Sequence, residues 1–163
     1  MPDNAENSYR KRLDTPVLNR CVSQMSKRKG GPVRILVIDD EEMIRNLAQR
    51  ILIRAGFDVL AAESGQSGLK LFSENFHQID LVLLDLTMDD MPGIQTLKRI
   101  REISPDLPCI ISSGQEPGPN ELPDELNRNV CFLQKPYRAM QLSEMVSQIL
   151  SKIDGSLLRS SQR

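Results

Sequence analysis

The 163-residue chain has no tryptophan, four phenylalanines, two tyrosines and one histidine, His77, so aromatic side chains make up 4% of it. Its three cysteines, Cys21, Cys109 and Cys131, are odd in number and show neither CxxC nor zinc-ligand spacing. That excludes a disulfide scaffold and a zinc knuckle, and the thiols are expected to be reduced. No apolar run approaches the roughly 20 residues that cross a bilayer, and the first thirty residues are too polar for the apolar centre of a signal peptide. A cytoplasmic protein with no membrane segment is therefore expected. A strong net charge is missing as well: 21 Lys+Arg against 22 Asp+Glu leave a formal charge of -1. A chain this long buries enough surface to hold a core without cross-links.

The near-neutral total hides an asymmetry. Residues 1–32 carry seven basic and three acidic side chains, a local +4, and the remainder carries -5. The leader includes Arg10, Lys11, Arg12, Arg20 and the run Lys27-Arg28-Lys29, followed by Gly30-Gly31-Pro32. With no sustained apolar period it reads as a flexible basic N-terminal arm, and so few aromatics accompany its charge that a solvated tail is favoured over a nucleic-acid anchor.

From Val33 onward, short apolar runs alternate with helical periods, the pattern of a parallel sheet covered by helices on both faces. Strands are expected over 33–38, 57–62, 80–84, 108–112 and 130–134. Helices are expected over 41–55, with Ile44, Leu47, Ala48, Ile51 and Ala55 inward and Gly56 as its stop, and over 64–75 with Leu69 and Phe72 inward. A third covers 93–103, with Ile94, Leu97 and Ile100 or Ile103 inward. The last has the clearest period, with Leu142, Met145, Val146, Ile149, Leu150 and Ile153 on one face, and is expected to stop at Gly155. Met140 and Met145 are assigned to core packing. Pro117, Pro119 and Pro123 forbid a regular long fourth helix between the last two strands, leaving one short helix over about 123–128 with Pro123 in its first turn. The expectation is a doubly wound α/β domain over 33–153 with a shortened or irregular fourth helix and a C-terminal tail over 154–163.

In such folds ligands gather beyond the carboxyl ends of the strands. The expected strands end in Asp39-Asp40, Asp85, Ser112-Ser113-Gly114 and Lys135-Pro136. Carboxylates brought together there repel one another by about 4 kcal/mol for unit charges 4 Å apart at an effective dielectric of 20, which calls for a compensating cation. All-oxygen ligands without His or Cys select a hard ion, and an open, hydrated cluster suits Mg²⁺. A hydroxyl, a lysine and a metal around Asp85 make a cradle for a phosphoryl group, with Asp85 as the nucleophile. Ser112 is the alternative to Ser113 as the hydroxyl.

Through VRILVIDDEE, DLVLLDLTMDDMPG, IISSG and FLQKPY, residues 33–153 resemble the receiver domain of two-component response regulators, the CheY-like fold. Each motif alone is weak, but four in order make a strong joint signal. The resemblance implies a five-stranded sheet of order 2-1-3-4-5, with Asp39 and Asp40 as the acidic metal pair and Asp85 as phosphoacceptor. It implies that Thr87 lends its backbone carbonyl to the metal and that Ser113 is the switch hydroxyl. Phe132 would be the aromatic switch residue, and Lys135 the phosphate-contacting lysine before a cis proline. It further implies a histidine kinase or histidine phosphotransfer protein as donor. The expected function is a stand-alone, Mg²⁺-dependent phosphorelay switch with no separate substrate turnover and no DNA-binding domain. Two positions depart from the family pattern: Asp89 stands where proline is common, and Pro92 where an acidic or small polar residue precedes the glycine. Asp89 and Asp90 either add negative field to the site or face solvent.

Three other functions compete, one of them a flavodoxin-like cofactor binder, whose first loop cradles phosphate with hydroxyls and amides where Asp39 and Asp40 would repel it. A haloacid dehalogenase-like phosphatase needs a second Asp two residues after the nucleophile, where this chain has Thr87. A degenerate receiver acting only as an interaction module is opposed by the complete set of acids, hydroxyl and lysine. His77 lies in a polar loop and is expected to be exposed and structural.

Overall fold

A computed structural model describes residues 31–115 and 122–160 of the chain, with side chains described up to residue 152. The basic arm up to residue 30, Pro117, Pro119 and the last three residues lie outside this range. The elements run β1 (Arg34–Ile38), α1 (Glu42–Arg54), β2 (Asp58–Ala62), α2 (Gly65–Asn75), a single 3-10 turn (Phe76–Gln78), β3 (Leu81–Asp85), α3 (Gly93–Ile103), β4 (Cys109–Ser113), β5 (Val130–Gln134) and α4 (Ala139–Ser160). Every strand pairing is parallel and the order is β2-β1-β3-β4-β5.

The central strands are apolar on both faces because helices cover both. Ile35, Val37, Leu81, Leu83, Ile110 and Leu133 form one core with Ala48, Ile51 and Leu52 of α1 and Leu142, Val146 and Ile149 of α4. Leu36, Ile38, Val82, Leu84, Ile111 and Phe132 form the other with Phe72 of α2 and Leu97 and Ile100 of α3. Each large aliphatic side chain fully buried this way contributes about 1.5–3 kcal/mol. Strand alternation also separates the cysteines: Cys109 lies opposite Val130, Cys131 opposite Ile110, and they join opposite cores. Complete burial pushes the Cys109 thiol up to about 12, which keeps it unreactive.

Several expectations need correction. In α1 the buried face is Ala48, Ile51 and Leu52, with Ile44 partly covered; Leu47 is 42% exposed and Ala55 is exposed, because the helix ends at Arg54 and its last turn rolls Leu52 toward the sheet. Gly56 does stop it, in a left-handed conformation with φ +93°. Met140, assigned to core packing, is instead 70% exposed near the start of α4, and of the alternatives in α3 it is Ile100 that is buried while Ile103 is exposed. The last helix runs through Gly155 to Ser160, since a helical glycine costs only about 1 kcal/mol relative to alanine and the surrounding residues continue the helix. Residues 123–128 form a single hydrogen-bonded turn rather than a helix, with Leu126 N and Asn127 N both donating to the Pro123 carbonyl. Leu126 from this turn is nevertheless buried in the second core.

Candidate functional site

The register sets the site. Ile38 pairs with Ala62 and with Leu84, Asp85 with Ser112, and Ser113 with Gln134, so Asp39, Asp85 and Lys135 emerge at one end of the sheet. Asp39 and Asp85 are buried at 3% and 2% exposure, and Asp40 is half-buried. One carboxylate oxygen from each of these three residues lies within 4.8 Å of the other two. Lys135 bridges two of them, its Nζ 2.8 Å from Asp39 Oδ2 and 3.4 Å from Asp85 Oδ2.

The backbone around the acids holds them in place. Asp39 Oδ1 accepts from Glu41 N at 2.9 Å and Asp40 Oδ2 from Asp89 N at 3.2 Å. Asp85 Oδ1 accepts from both the amide of Thr87 at 3.0 Å and its hydroxyl at 3.1 Å. Arg45 reaches back from the first turn of α1 and donates to the carbonyl oxygens of Asp39 at 2.8 Å and Asp40 at 3.4 Å. On the other side, Gly93 N donates to Leu86 O at 3.0 Å, and a Cβ at Gly93 would stand 2.3 Å from the carbonyl oxygen of Asp85. Only glycine lets the start of α3 approach the strand end this closely.

Burial raises the Asp39 pKa above its ordinary 3.8, and the Lys135 ammonium and the Glu41 amide only partly counter it. For Lys135, burial works downward, but the carboxylates of Asp39 and Asp85 outweigh it and raise the ammonium above 10.5. Tyr137, buried beside the site, keeps its phenol protonated far into alkaline pH through burial and through the negative charges of Asp39 and Asp85.

Three carboxylates against one ammonium leave two uncompensated negative charges facing a single point. A dication balances them, and a donor set made only of oxygen fits a hard one. The residues present thus fit Mg²⁺, which Asp39, Asp40 and Asp85 would hold.

The structure brings together Asp39, Asp40, Asp85 and Lys135, with Thr87 against Asp85. Ser113 closes β4 at 5% exposure; its hydroxyl accepts from Gln115 N at 3.4 Å, and its carbonyl accepts the Lys135 amide at 2.8 Å. Neither Ser112 nor Ser113 hydrogen-bonds Asp85 among the described residues. Phe132 is buried in the second core at 4% exposure. The Lys135-Pro136 bond is cis. Asp89 is exposed, and Asp90 turns away from the acids to the start of α2, where it accepts from Gly65 N and Gln66 N, each at 3.2 Å. His77 is exposed. Sequence reasoning missed the Thr87 hydroxyl, the Arg45 clamp and the amide of Asp89. Only Arg45 had a signal, a cation in the first turn of the helix that follows the acidic pair.

The family description "Response regulator receiver domain" matches residues 35–147. The chain is 34% identical over 122 residues to the chemotaxis protein CheY of Bacillus subtilis, covering 72% of this chain and 98% of that one. It is also 34% identical over 119 residues to the autoinducer 1 sensor kinase/phosphatase LuxN of Vibrio campbellii, covering 72% of this chain but only 14% of the kinase. Among solved structures, a CheY-like receiver domain protein of Methanospirillum hungatei superposes with a TM-score of 0.67 at 22% identity, over 79% of this chain and 99% of the other. Fold, acidic cluster and matched span lead to one conclusion: the chain belongs to the response regulator receiver domain family.

Proposed function

We propose that the chain accepts a phosphoryl group on the carboxylate of Asp85, from a phosphohistidine of a histidine kinase or histidine phosphotransfer protein, and acts as a phosphorelay switch. The observation that carries this reading is the convergence of three carboxylates within 4.8 Å around a strand-end aspartate that also faces a lysine. An Asp85 oxygen attacks phosphorus, the P–N bond to the donor imidazole breaks as the P–O bond forms, and the imidazole keeps the electron pair and takes a proton. Mg²⁺, when bound, supplies positive charge to the phosphoryl oxygens. Asp39 and Asp40 hold the metal together with Asp85, and the Thr87 carbonyl completes the protein ligands. The amide and hydroxyl of Thr87 fix the orientation of Asp85 through Oδ1. Lys135, now shared between Asp39 and Asp85, moves its charge to the new phosphoryl oxygens, and Ser113 donates its hydroxyl to another. Phe132 follows Ser113 as the switch residue, within the core that also buries Leu126 of the irregular segment.

The same geometry disfavours a phosphatase of the haloacid dehalogenase type. That chemistry needs an acid two residues after the nucleophile, and Thr87 there offers only a hydroxyl already committed to Asp85.

Incubation with Mg²⁺ and acetyl phosphate followed by intact mass tests the proposal. Wild type is expected to gain one phosphoryl group and Asp85→Asn none. An unmodified wild type, under conditions where a known receiver reacts, overturns it and leaves the interaction-module reading. The absence of tryptophan makes mass spectrometry the direct readout.

A further inference from the structure

Asp90 sits in the β3–α3 loop, five residues after Asp85, yet its carboxylate spans the first two amides of α2: Oδ1 accepts from Gly65 N and Oδ2 from Gln66 N, each at 3.2 Å. The helix already has its own cap, Ser64, whose hydroxyl accepts from Ser67 N at 3.0 Å. Ser64 leaves two of the orphan amides of the first turn unmet, and Asp90 takes both from outside the helix. A second observation concerns the same contact. A Cβ at Gly65 would stand 2.6 Å from Thr96 Oγ1 and 2.9 Å from Met91 Cβ, so the glycine is what lets the loop and α3 close onto the start of α2.

The loop that Asp90 anchors is the one that forms the site's rim. Thr87 meets Asp85 through its amide and hydroxyl, and the Asp89 amide meets Asp40 Oδ2. At its far end the loop is pinned by Gly93 N on Leu86 O. Between Asp89 and Gly93 the other polar attachment among the described hydrogen bonds is the Pro92 carbonyl, which accepts from Gln95 N and Thr96 N of α3, so Asp90 alone ties this stretch to α2.

We infer that Asp90 is a positioning residue: by capping α2 from the loop it holds Thr87 and Asp89 in register with Asp39, Asp40 and Asp85, and it makes the start of α2 respond to metal at the site. This rests on the reading of the site as a Mg²⁺-dependent phosphoacceptor. Asp90 remains ionised in this role: slight burial works against it, but the amides of Gln66 and Gly65 hold its carboxyl below the ordinary 3.8.

The test uses the full chain with Mg²⁺ alone as ligand. Asp90→Ala removes charge and acceptor together, whereas Asp90→Asn removes the charge and keeps an acceptor oxygen. Mg²⁺ affinity, measured by calorimetry, is expected to weaken about three- to tenfold in Asp90→Ala, less than the 10–100-fold typical when a direct partner of a metal ligand is lost. Asp90→Asn is expected to fall between wild type and Asp90→Ala, since its one amide oxygen can accept from only one of the two α2 amides and its NH2 group from neither. Equal losses in the two variants would reduce Asp90 to a bulk charge and overturn the inference, as would an unchanged Asp90→Ala. The second measurement needs no variant: amide exchange at Gly65 and Gln66 in the wild type is expected to slow on adding Mg²⁺, and exchange that ignores the ion overturns the coupling even if Asp90→Ala does not fold. A wild type that binds no Mg²⁺ overturns the inference and the functional proposal together. A wild type phosphorylated on Asp85, with Asp90→Ala indistinguishable from it in Mg²⁺ binding, overturns this inference alone.

Discussion

Lys135 Nζ lies 2.8 Å from Asp39 Oδ2, closer than it lies to the phosphoacceptor candidate Asp85, at 3.4 Å. Even with this partner Asp39 has a raised pKa, because burial outweighs the ion pair. The metal and a proton therefore compete for Asp39 in a pH window that opens above the ordinary 3.8. Once pH falls below the folded pKa of Asp39, Mg²⁺ affinity should drop by about tenfold per unit, the slope for one proton displaced per ion. Calorimetric titration at a series of pH values measures this, and an affinity that stays flat down to 3.8 would contradict it.

The same shift fixes a sign for stability. A carboxyl raised in the folded state binds its proton more readily there than in the unfolded chain, so without metal this group adds stability as pH falls through its folded value toward 3.8. Lys135 is raised too, so its share is complete below 10.5 and is lost only as pH rises through its higher folded value. In EDTA, Asp39→Asn should therefore raise the thermal midpoint at neutral pH, while in excess Mg²⁺ the same change should lower it by removing a ligand. Thermal unfolding followed by circular dichroism in the two buffers checks the reversal, and a variant that is less stable in both would refute it.

The parallel strands and the residues at their C-terminal ends were legible in the sequence because they depend on local rules, whereas the order of the strands was implied only by the resemblance to receiver domains. Apolar runs buried on both faces mark parallel strands, and polar residues that end them mark the ligand edge. Asp39, Asp40, Asp85 and Lys135 followed from that alone. The contacts that were not legible join residues distant in sequence. Nothing near Asp90 signals a helix start 25 residues before it, and nothing near Gly93 says that the Asp85 carbonyl will stand where a side chain would go. The segment before β5 failed for a different reason. Proline chemistry excluded a long helix, but whether one turn or two would form depended on how Leu126 is buried in the second core, which is a matter of packing.

Two glycines separate backbone crowding from side-chain crowding. A Cβ at Gly93 would meet the backbone of Asp85 at 2.3 Å and of Leu86 at 2.6 Å, neither of which can move without moving β3. At Gly68 the three atoms it would meet first all belong to the Ile38 side chain, nearest at 2.5 Å, and alanine recovers about 1 kcal/mol of helix propensity inside α2. Gly93→Ala is expected to destabilise by about 3 kcal/mol or more and Gly68→Ala by about 1–2 kcal/mol. Urea denaturation of both orders them, and Gly68→Ala as the more damaging change would show that the buried Ile38 is the less yielding neighbour.

Arg101 is the one described arginine in the helices with almost no exposure, 7%, and its place was hidden by helical periodicity. Counting i+4 from the buried Leu97 reaches position 101, where an apolar residue would ordinarily stand. There the end of α3 meets carbonyl groups that have left regular structure. Arg101 donates to Leu107 O at 2.7 Å, to Ser104 O at 3.5 Å and to the carbonyl of Arg128, so one guanidinium ties the α3–β4 connection to the turn before β5. Asn129, at φ +52°, adds a parallel tie by donating its side-chain amide to Asp106 O at 2.8 Å. Removing the guanidinium takes the donor from three part-buried carbonyls, and an acceptor left unmet out of water costs about 1–3 kcal/mol. Arg101→Ala is thus expected to cost about 2–4 kcal/mol in urea unfolding, and Arg101→Lys to recover only part, because a point ammonium cannot serve separate carbonyls as a planar fork does. Mg²⁺ affinity, set at the opposite end of the strands, should be unchanged in folded Arg101→Lys. A lysine variant as stable as wild type would mean that charge alone, rather than the fork, holds the two connections together.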